Sequence, residues 1–329
     1  MRHASGLGVA RSLREGNLGH LKLVGIDSDP LAPGFYSGLL DNFFVTVSPI
    51  GDEKRYVAQL KSIIQREKCG LIIPASDFDL MAISKYRTTL SMGSTVVSAP
   101  EYGKMVVTRI KPRTFGFVSK LGISVPEYQK VANPRELTKA ARALGLPVVV
   151  KGPITKTLVA HSLSEARNAY DEISNIFGTA IVQRYVEGAD YSVLTLSEEG
   201  KPYLNICIRK FKTSKEGVTL CGVTIKNESL KSLAGRIVAS LHWTGVIESE
   251  WRWNGSADEI HFIETNPRFP AWTYLTTIAG ANAPSLLVRR LMGQKVEVPD
   301  HGIGVGFIRI DYDVPVMLND IMDTSARTP

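Results

Sequence analysis

Cysteine and long apolar runs are what this sequence most clearly lacks. Its 329 residues hold three cysteines, Cys69, Cys207 and Cys221, without CxxC spacing, so neither a disulfide framework nor a zinc site is indicated. No apolar stretch reaches the roughly 20 residues that a membrane-spanning helix needs, and the N-terminal residues lack the apolar centre of a signal peptide. We expect reduced thiols, no membrane insertion and a cytoplasmic location.

Charge of one sign is not concentrated anywhere along the chain. The net charge is +7, but Lys and Arg are spread without interleaved aromatic residues. This distribution does not favour nucleic acid as a partner and favours a small anionic ligand. With 44% hydrophobic and 22% charged residues, the chain can bury substantial cores and should form two or three globular domains.

The first hundred residues alternate between helical and strand patterns. Residues 5–15 and 52–67 have helical character, and residues 21–27 and 71–74 are apolar strands. This rhythm predicts βαβ units and a parallel sheet. The strand expected before the SGLG segment is absent, so either the start is truncated or the sheet has lost an edge strand. SGLG and Asp27 also suit a dinucleotide-binding turn, but without a full GxGxxG a nicotinamide dehydrogenase is the weakest functional alternative.

The middle of the chain has the pattern of a small α+β unit, and the remainder that of an antiparallel sheet. Asn133 is a suitable cap for a helix that begins with Pro. Residues 147–151 and 157–160 are expected to form paired strands, and residues 164–176 a helix. From residue 180 onward, strand runs with short turns between them, the first being AIVQRYV, predict an antiparallel sheet.

Two segments carry groups suited to chemistry. HFIETNPR, residues 261–268, puts Glu264 and Asn266 on one face of a strand, and both offer the oxygen ligands that Mg²⁺ prefers. The alternative is a hairpin with solvated acids, but a carboxylate beside apolar Phe and Ile is costly to bury without a cation. IVQRYVEGADYS, residues 181–192, offers backbone polar groups at a strand edge, with a plain hairpin turn at Gly188 as the alternative.

The order of the elements and these two segments resemble the ATP-grasp superfamily, the group of carbamoyl phosphate synthetase, biotin carboxylase and the D-alanine ligases. HFIETNPR resembles the family's IExNPR metal strand, and IVQRYVEGADYS resembles its EEYVxGxEYS hinge. The resemblance covers nearly the whole chain and implies a mixed α/β and α+β fold. In that fold a Rossmann-like leading domain, residues 1–107, precedes a small subdomain, 108–178, and a large subdomain, 179–329, with an antiparallel sheet and the metal site. The two α+β subdomains would clamp ATP.

The resemblance also implies a metal site on two neighbouring strands. The family takes a second acidic ligand from the partner strand, at the offset at which Glu250 follows Gly245. Glu250, Glu264 and Asn266 are therefore the expected ligands of Mg²⁺, with Mn²⁺ as a substitute. Glu248 lies on the same face of the strand as Glu250 and is the alternative ligand.

Two lysines are expected to contact the ATP phosphates. Lys151 ends a strand at which the family keeps a phosphate-binding lysine, and a compact ammonium suits that task. A surface lysine is an equal interpretation of Lys151 taken alone. Lys111 stands where the family has the lysine that begins a helix, with Lys104 as the alternative because the family's preceding aspartate is missing.

The hinge residues are expected to hold the adenosine. Gln183, Arg184, Tyr185 and Val186 would contact the adenine ring, and Asp190 would accept hydrogen bonds from the ribose hydroxyls. Arg184 departs from the family, which has a glutamate there to meet the adenine amine.

The activity implied is ATP-dependent joining of a small-molecule carboxylate to an amine through an acyl phosphate. Arg268 and Arg209 would meet the transferred phosphoryl group, since guanidinium forks match phosphate oxygens, although each taken alone could equally form a structural salt bridge. Trp272 and Tyr274 are expected to pack inward, with an acceptor pocket as the alternative. A homodimer is a habit of the family.

One departure keeps a second function open. The glycine-rich flap that the family closes over the triphosphate is replaced here by GPITKT, residues 152–157, in which Thr155 and Lys156 would have to compensate. The alternative function is therefore an ATP-binding pseudoenzyme or regulatory partner without ligase turnover. Asp77, in a segment that is also similar to the family's leading domain, receives no role.

Overall fold

The computed structural model describes residues 4–215, 217–255, 260–311 and 313–326. Within these ranges, none of the helices combines the length and the apolar character that crossing a bilayer requires. The leading part consists of α1 Ala4–Arg14, β1 Val24–Asp27, β2 Asn42–Val45, α2 Glu53–Glu67, β3 Leu71–Ile72, α3 Asp77–Lys85, α4 Arg87–Leu90, β4 Val96–Val97 and α5 Tyr102–Arg109, with a 3₁₀ turn at Pro33–Tyr36. Its strands form two parallel pairs, β1 with β2 and β3 with β4.

The middle part is a four-stranded antiparallel sheet covered by two helices. Its elements are α6 Lys111–Lys120, β5 Tyr128–Val131, α7 Pro134–Leu144, β6 Val148–Lys151, β7 Thr157–Ala160, α8 Leu163–Phe177 and β8 Ala180–Arg184. The strand order is β5-β8-β6-β7. Side chains of α7 and α8, such as Leu137 and Ile173, are buried against apolar residues of the sheet.

The last part is built on a six-stranded sheet. Its elements are β9 Ala189–Glu198, β10 Lys201–Thr213, β11 Thr219–Ile225, α9 Glu228–Ser240, β12 Gly245–Trp253, β13 Ile260–Asn266, α10 Tyr274–Ile278, α11 Ala283–Leu291, β14 Gly306–Ile308 and α12 Leu318–Ala326. The strand order is β13-β12-β9-β10-β11-β14, and all neighbours are antiparallel.

Side-chain caps set the start of several helices. Asp52 accepts a hydrogen bond from the Arg55 amide at the start of α2, and Asn133 accepts one from the Glu136 amide at the start of α7. Glu136 returns the interaction, because its carboxylate accepts from the backbone N–H just before the cap. Each cap satisfies a backbone donor that has no partner inside the helix, so the helices begin where the sequence predicts.

The six-stranded sheet is buried on both faces. On one face α6 and α9 pack against Trp251 and Phe262, and on the other α1 and α11 pack against Leu194 and Leu196. A sheet covered on both sides holds its strands rigidly, so side chains on the edge strand β13 and on its neighbour β12 are placed accurately. The leading part contributes to this second core through α1.

Most of the predicted elements are confirmed, with two corrections. The parallel pairing in the leading part and the paired strands β6 and β7 are present. The SGLG segment lies inside α1 rather than in a turn. The run AIVQRYV contains β8, which pairs with β5 and β6 and so lies in the smaller sheet rather than beside β9. Alternation of apolar residues cannot distinguish these two partners.

Ile173 and Ile176 on α8 provide a matched test of this packing. Ile173 is fully buried in the four-stranded unit, whereas 59% of Ile176 is exposed. We expect Ile173→Ala to lower the free energy of unfolding by about 2–5 kcal/mol, because it leaves a cavity. Ile176→Ala should change it by less than about 0.5 kcal/mol. Urea unfolding followed by circular dichroism measures both, and equal losses would contradict the assigned packing.

Candidate active site

The central carboxylates lie opposite each other on two neighbouring strands. In the antiparallel pair of β12 and β13, Glu250 is opposite Glu264 and Glu248 is opposite Asn266. Directly opposite residues of such a pair have Cβ atoms about 4.5–5.5 Å apart, so the four side chains form one tight group. The register shifts by one residue just after Glu250, and bulges of this kind are common beside active sites.

Hydrogen bonds fix the orientation of these acids. Nδ2 of Asn266 donates to Oε2 of Glu248 and to Oε1 of Glu250, both at 3.0 Å. Oε1 of Glu248 also accepts from Ser192 Oγ at 2.5 Å and from Trp272 Nε1 at 2.7 Å. Both oxygens of Glu248 are therefore bonded within the protein, and both oxygens of Glu250 also accept, one from Asn266 and the other from Lys210. The Asn266 nitrogen is committed too, so its oxygen Oδ1 is the atom that suits a cation.

Three buried lysines accompany the three glutamates. Lys111 Nζ lies 2.9 Å from Glu264 Oε2, and Lys210 Nζ lies 2.7 Å from Glu250 Oε2. Lys151, at the end of β6, is also buried, and its ammonium has no hydrogen-bond or ion-pair partner among the described residues. The site thus holds one ammonium that is not bound to a carboxylate.

Burial and charge shift the titration of these groups. Burial lowers the pKa of Lys151 to about 8, against the opposing pull of Glu264. It lowers the pKa of Lys111 as well. Burial raises the pKa of Glu250, and the charge of the neighbouring Lys210 offsets only part of that rise. For Glu264 burial acts in the same direction, but Lys111 and Arg109 outweigh it and hold the pKa of that carboxyl well below its usual range.

A cavity of about 290 Å³ adjoins this group. It is lined by five of the residues that the sequence singles out, Lys111, Glu250, Glu264, Asn266 and Arg268. Its other walls are the start of α3, the turn 155–157, the hairpin end 217–219 and Trp272. Lys151 and the hinge residues do not line this cavity. All three parts of the chain contribute to one concave, polar site, the usual form of a ligand site.

The GPITKT segment is a tight turn held over Lys111. Nζ of Lys111 donates to the Ile154 carbonyl at 2.7 Å, and its backbone N–H donates to the Pro153 carbonyl at 2.8 Å. Gly152 is required here, because a Cβ would lie 2.3 Å from the Thr155 carbonyl oxygen. The turn places residues 155–157 on the cavity wall. The segment is thus a short cover anchored on Lys111.

Asp77, to which the sequence assigns no role, joins two arginines at the cavity wall. Its carboxylate accepts from Arg268 Nε at 2.9 Å and from Arg109 Nη2 at 2.8 Å. Burial would raise the pKa of Asp77, but the two guanidinium groups hold it well below its usual range. This ion cluster ties α3 of the leading part to α5 and to the end of β13. Arg109 is a residue of the site that the sequence does not reveal, since no motif contains it.

The hinge residues lie at the junction of β8 and β9. Gln183 is buried and donates to the Pro126 carbonyl at 3.2 Å. Arg184 is exposed, and its guanidinium lies 2.8 Å from the Glu127 carboxylate and donates to the Leu144 carbonyl.

Arg252, which the sequence also does not single out, occupies the groups expected to hold adenosine. Its Nε and Nη2 donate to Asp190 Oδ1 at 2.9 and 2.5 Å, and its Nη1 donates to the Val186 carbonyl at 3.2 Å. The guanidinium lies 5.3 Å from the centroid of the Tyr185 ring. Asp190 and Val186 are therefore paired within the protein in this structure.

The structure corrects the prediction for Arg209 and bears on two alternatives that the sequence leaves open. Arg209 is exposed and stacks on Phe211, 5.0 Å from the ring centroid, because alternation along β10 turns Lys210 rather than Arg209 toward the acids. Lys104 donates to the His242 carbonyl, away from the cavity, which leaves Lys111 as the lysine of the site. Tyr274 donates to Glu15 of α1 and does not line the cavity, whereas Trp272 does.

Comparisons with known proteins find an ATP-grasp family model and several similar enzymes. The model of the family described as ATP-grasp in the biosynthetic pathway with Ter operon matches residues 177–308, the segment that contains β8 to β14. Carbamoyl-phosphate synthase of Methanobrevibacter smithii is 24% identical over 251 residues, which are 71% of this chain and 67% of that protein. Formate-dependent phosphoribosylglycinamide formyltransferase of Nitratiruptor sp. is 25% identical over 276 residues, 77% of this chain and 67% of that protein.

A solved structure shows the same fold. The biotin carboxylase domain of 2-oxoglutarate carboxylase from Hydrogenobacter thermophilus, in complex with MgADP, ADP and bicarbonate, superposes with a TM-score of 0.71 at 14% identity. The alignment covers 93% of this chain and 71% of that one. The chain therefore has the ATP-grasp fold, and its residues 177–308 match the model of an ATP-grasp family.

The burial of Lys151 without a partner yields a stability prediction for the nucleotide-free protein. The pKa of Lys151 is about 8 in the folded state, below the ordinary 10.5. Burying the charged ammonium therefore lowers the stability of the fold by its full amount below pH 8. This loss of stability declines as the pH rises and is gone above about pH 10.5. Lys151→Met should therefore raise the free energy of unfolding at pH 7 by on the order of 3 kcal/mol. The gain should shrink from pH 8 upward. Urea unfolding at a series of pH values measures it, with exposed Lys139→Met as control; a variant less stable at pH 7 would contradict the assignment.

Proposed function

We propose that this chain is a Mg-ATP-dependent ligase that joins a small-molecule carboxylate to an amine through an acyl phosphate. The observation that carries the proposal is the cross-strand pair Glu250 and Glu264, which meets Lys111 and Asn266 at one cavity. Acids and ammonium groups at one cavity suit a nucleoside triphosphate with its metal cation. The acids would bind the cation, and the ammonium groups would bind the phosphates.

The donor set fits magnesium. The described residues contain no cluster of three or more His, Cys, Asp or Glu side chains arranged to hold a metal. Glu250, Glu264 and Oδ1 of Asn266 instead offer two carboxylates and one amide oxygen. Mg²⁺ is commonly bound by one or two carboxylates, with waters and substrate phosphates completing its coordination, so this set fits it, and Mn²⁺ would bind the same oxygens. When bound, the ion neutralises charge on the phosphates and orients them.

The lysines supply the remaining positive charge. Lys111 is shared between Glu264 and the GPITKT turn, so a bound phosphate would face an ammonium that is already positioned. Lys151 Nζ lies 5.9 Å from the centroid of the Phe115 ring and has no carboxylate partner among the described residues, so a phosphate oxygen would provide the anion that its buried ammonium lacks. The adenosine would then extend toward the hinge residues Gln183 to Val186, with Asp190 at the ribose.

The reaction requires no nucleophile from the protein. A carboxylate oxygen of the substrate attacks the γ-phosphorus, the bond from that phosphorus to the bridging oxygen breaks, and ADP leaves. The amine then attacks the acyl carbon, inorganic phosphate leaves, and the amine nitrogen loses a proton. Arg268, whose guanidinium lines the cavity, would stabilise the charge on the phosphoryl group. Catalysis of this kind is mainly positioning and electrostatics.

The relatives support the substrate class. The Nitratiruptor relative is named for formate, a carboxylate, and the Hydrogenobacter structure contains bicarbonate and MgADP. We infer small carboxylate and amine substrates for this chain, with the cytoplasmic location and the homodimer kept as predictions. The domain limits 1–107, 108–178 and 179–329 stay part of the proposal, and β8, inside the third of them, pairs in the smaller sheet.

One observation favours the alternative of nucleotide binding without turnover. Arg252 occupies Asp190 and the Val186 carbonyl, and the turn over the phosphates is short. A protein that binds ATP and never releases ADP with any carboxylate and amine would fit that alternative. An ADP-release assay across a panel of amino acids and other small carboxylates, beside calorimetry with a non-hydrolysable ATP analogue, distinguishes the two functions.

Glu264→Gln tests the metal assignment. The substitution keeps the shape and removes the charge, so we expect substrate-dependent ADP release in the presence of Mg²⁺ to fall by a factor of about 100 or more, as is usual when a metal ligand is lost. The matched control is Glu228→Gln, since Glu228 is exposed at the start of α9. Turnover retained by the Glu264 variant would contradict the assignment.

Arg252→Ala tests whether adenosine binds at the hinge. Removing the guanidinium frees Asp190 and the Val186 carbonyl, so nucleotide should no longer have to displace charge-assisted hydrogen bonds. We expect the Kd of MgADP to fall about tenfold, the equivalent of one such hydrogen bond. Isothermal calorimetry measures the Kd, with exposed Arg135→Ala as control. Weaker binding by the Arg252 variant would show that this arginine contacts the nucleotide instead.

A further inference from the structure

We propose that Arg109 binds a carboxylate group of the substrate at the wall of the cavity formed by the leading part. The inference rests on the proposed function and deepens it, because it assigns to a named residue the recognition of the substrate's negative charge. The site consists of Arg109 at the end of α5, Asp77 at the start of α3 and Arg268 just after β13. All three line the cavity that contains Glu250 and Glu264.

The guanidinium of Arg109 is buried and only partly satisfied. The residue is 3% exposed, and Nη2 is its one bonded nitrogen, donating to Asp77. Nε and Nη1 are buried and have no hydrogen-bond partner within the described ranges of the chain. Buried polar groups are normally bonded, and an unsatisfied donor on a charged group is especially costly. A residue kept in this state at the wall of a cavity indicates that its partner is a ligand.

The charges around the cavity specify the sign of that ligand. In the cluster of lysines and glutamates, Lys111 is paired with Glu264 and Lys210 with Glu250. The second cluster is not balanced, because two arginines share the single carboxylate of Asp77. The excess is one positive charge. A group with one negative charge would neutralise it.

The shape of the donors specifies the chemical class. Arg268 uses Nε and Nη2 on Asp77 and Nη1 on the Phe269 carbonyl, so its fork is occupied. Arg109 leaves Nε and Nη1 unused. A guanidinium presents donors in a fixed planar fork that matches the two oxygens of a carboxylate. Nearby Ala4, Ser5 and Ala75 are small and leave room for a compact group.

The experiment measures carboxylate binding in the full chain saturated with MgADP. The probes are acetate and succinate, each compared with its uncharged amide, in thermal-shift titrations up to tens of millimolar. We expect the carboxylates, and not the amides, to raise the melting temperature. Arg109→Met should weaken that binding by about 10–100-fold, as expected for the loss of a charged hydrogen-bond pair. Arg113→Met, an exposed arginine on α6, should bind as the parent protein does.

Two further variants guard against a folding defect. Arg109→Lys keeps the charge and loses the fork, and it should bind carboxylate more weakly while binding MgADP normally. Asp77→Asn removes the internal competitor, so carboxylate should bind several-fold more tightly. Unchanged carboxylate binding in Arg109→Met, equal binding of the amides, no response of the parent protein to any carboxylate, or weaker binding in Asp77→Asn would each overturn the inference.

The result separates this inference from the proposed function. MgADP binding that fails in the parent protein would defeat the proposed function itself. If MgADP binds normally and replacing Arg109 does not change carboxylate binding, only the inference about Arg109 is contradicted. The ADP-release assay shows when the contact acts: a loss of kcat in Arg109→Met indicates a contact that strengthens in the transition state, and a raised KM with kcat retained indicates a contact that holds the substrate equally in both states.

Discussion

The crowding of three carboxylates on the paired strands β12 and β13 is the constraint on which the rest of the site depends. The register that places Glu250 opposite Glu264 also places Glu248 opposite Asn266, so like charges meet where Glu248 is buried and the other two acids are partly buried. Such a group is unfavourable unless cations and hydrogen bonds compensate it. Lys111 at the start of α6 provides one cation, and Lys210 on β10 provides the other. The strand register thus brings together the oxygen atoms that can bind a metal, and it also creates the need for the lysines that neutralise them.

This constraint explains why separate parts of the chain meet at one cavity. The start of α6 approaches Glu264, the GPITKT turn approaches Lys111, and α3 reaches the site through Asp77 and its two arginines. Each contact joins a charged or polar group to one already in place. The cleft is thus assembled by charge pairing at its centre, while apolar cores behind the sheets hold the elements in position.

The sequence predicts those parts of the fold and the site that depend on residues close together in the chain. The acids of HFIETNPR and the lysine at the start of α6 come together because strand periodicity and helix starts are encoded by neighbouring residues. Neighbouring residues do not specify which distant strands pair. The sequence pattern therefore places β8 in the larger sheet, whereas it pairs with β5 and β6 in the smaller one. The choice between Arg209 and Lys210 depended on which face of β10 meets β12. Arg109 and Arg252 lie outside any motif, and only the tertiary structure shows their partners.

The packing of α1 has a consequence for how this chain is made. Asn282, at the cap of α11, donates to the Ser12 carbonyl in α1, and Val9 and Leu13 are buried with Leu286 and Leu287. About 270 residues separate these partners, and contacts so distant in sequence close late. The core behind the six-stranded sheet cannot be completed until the ribosome has released α11. Until α11 has emerged, α1 therefore exposes the apolar face that this core later buries.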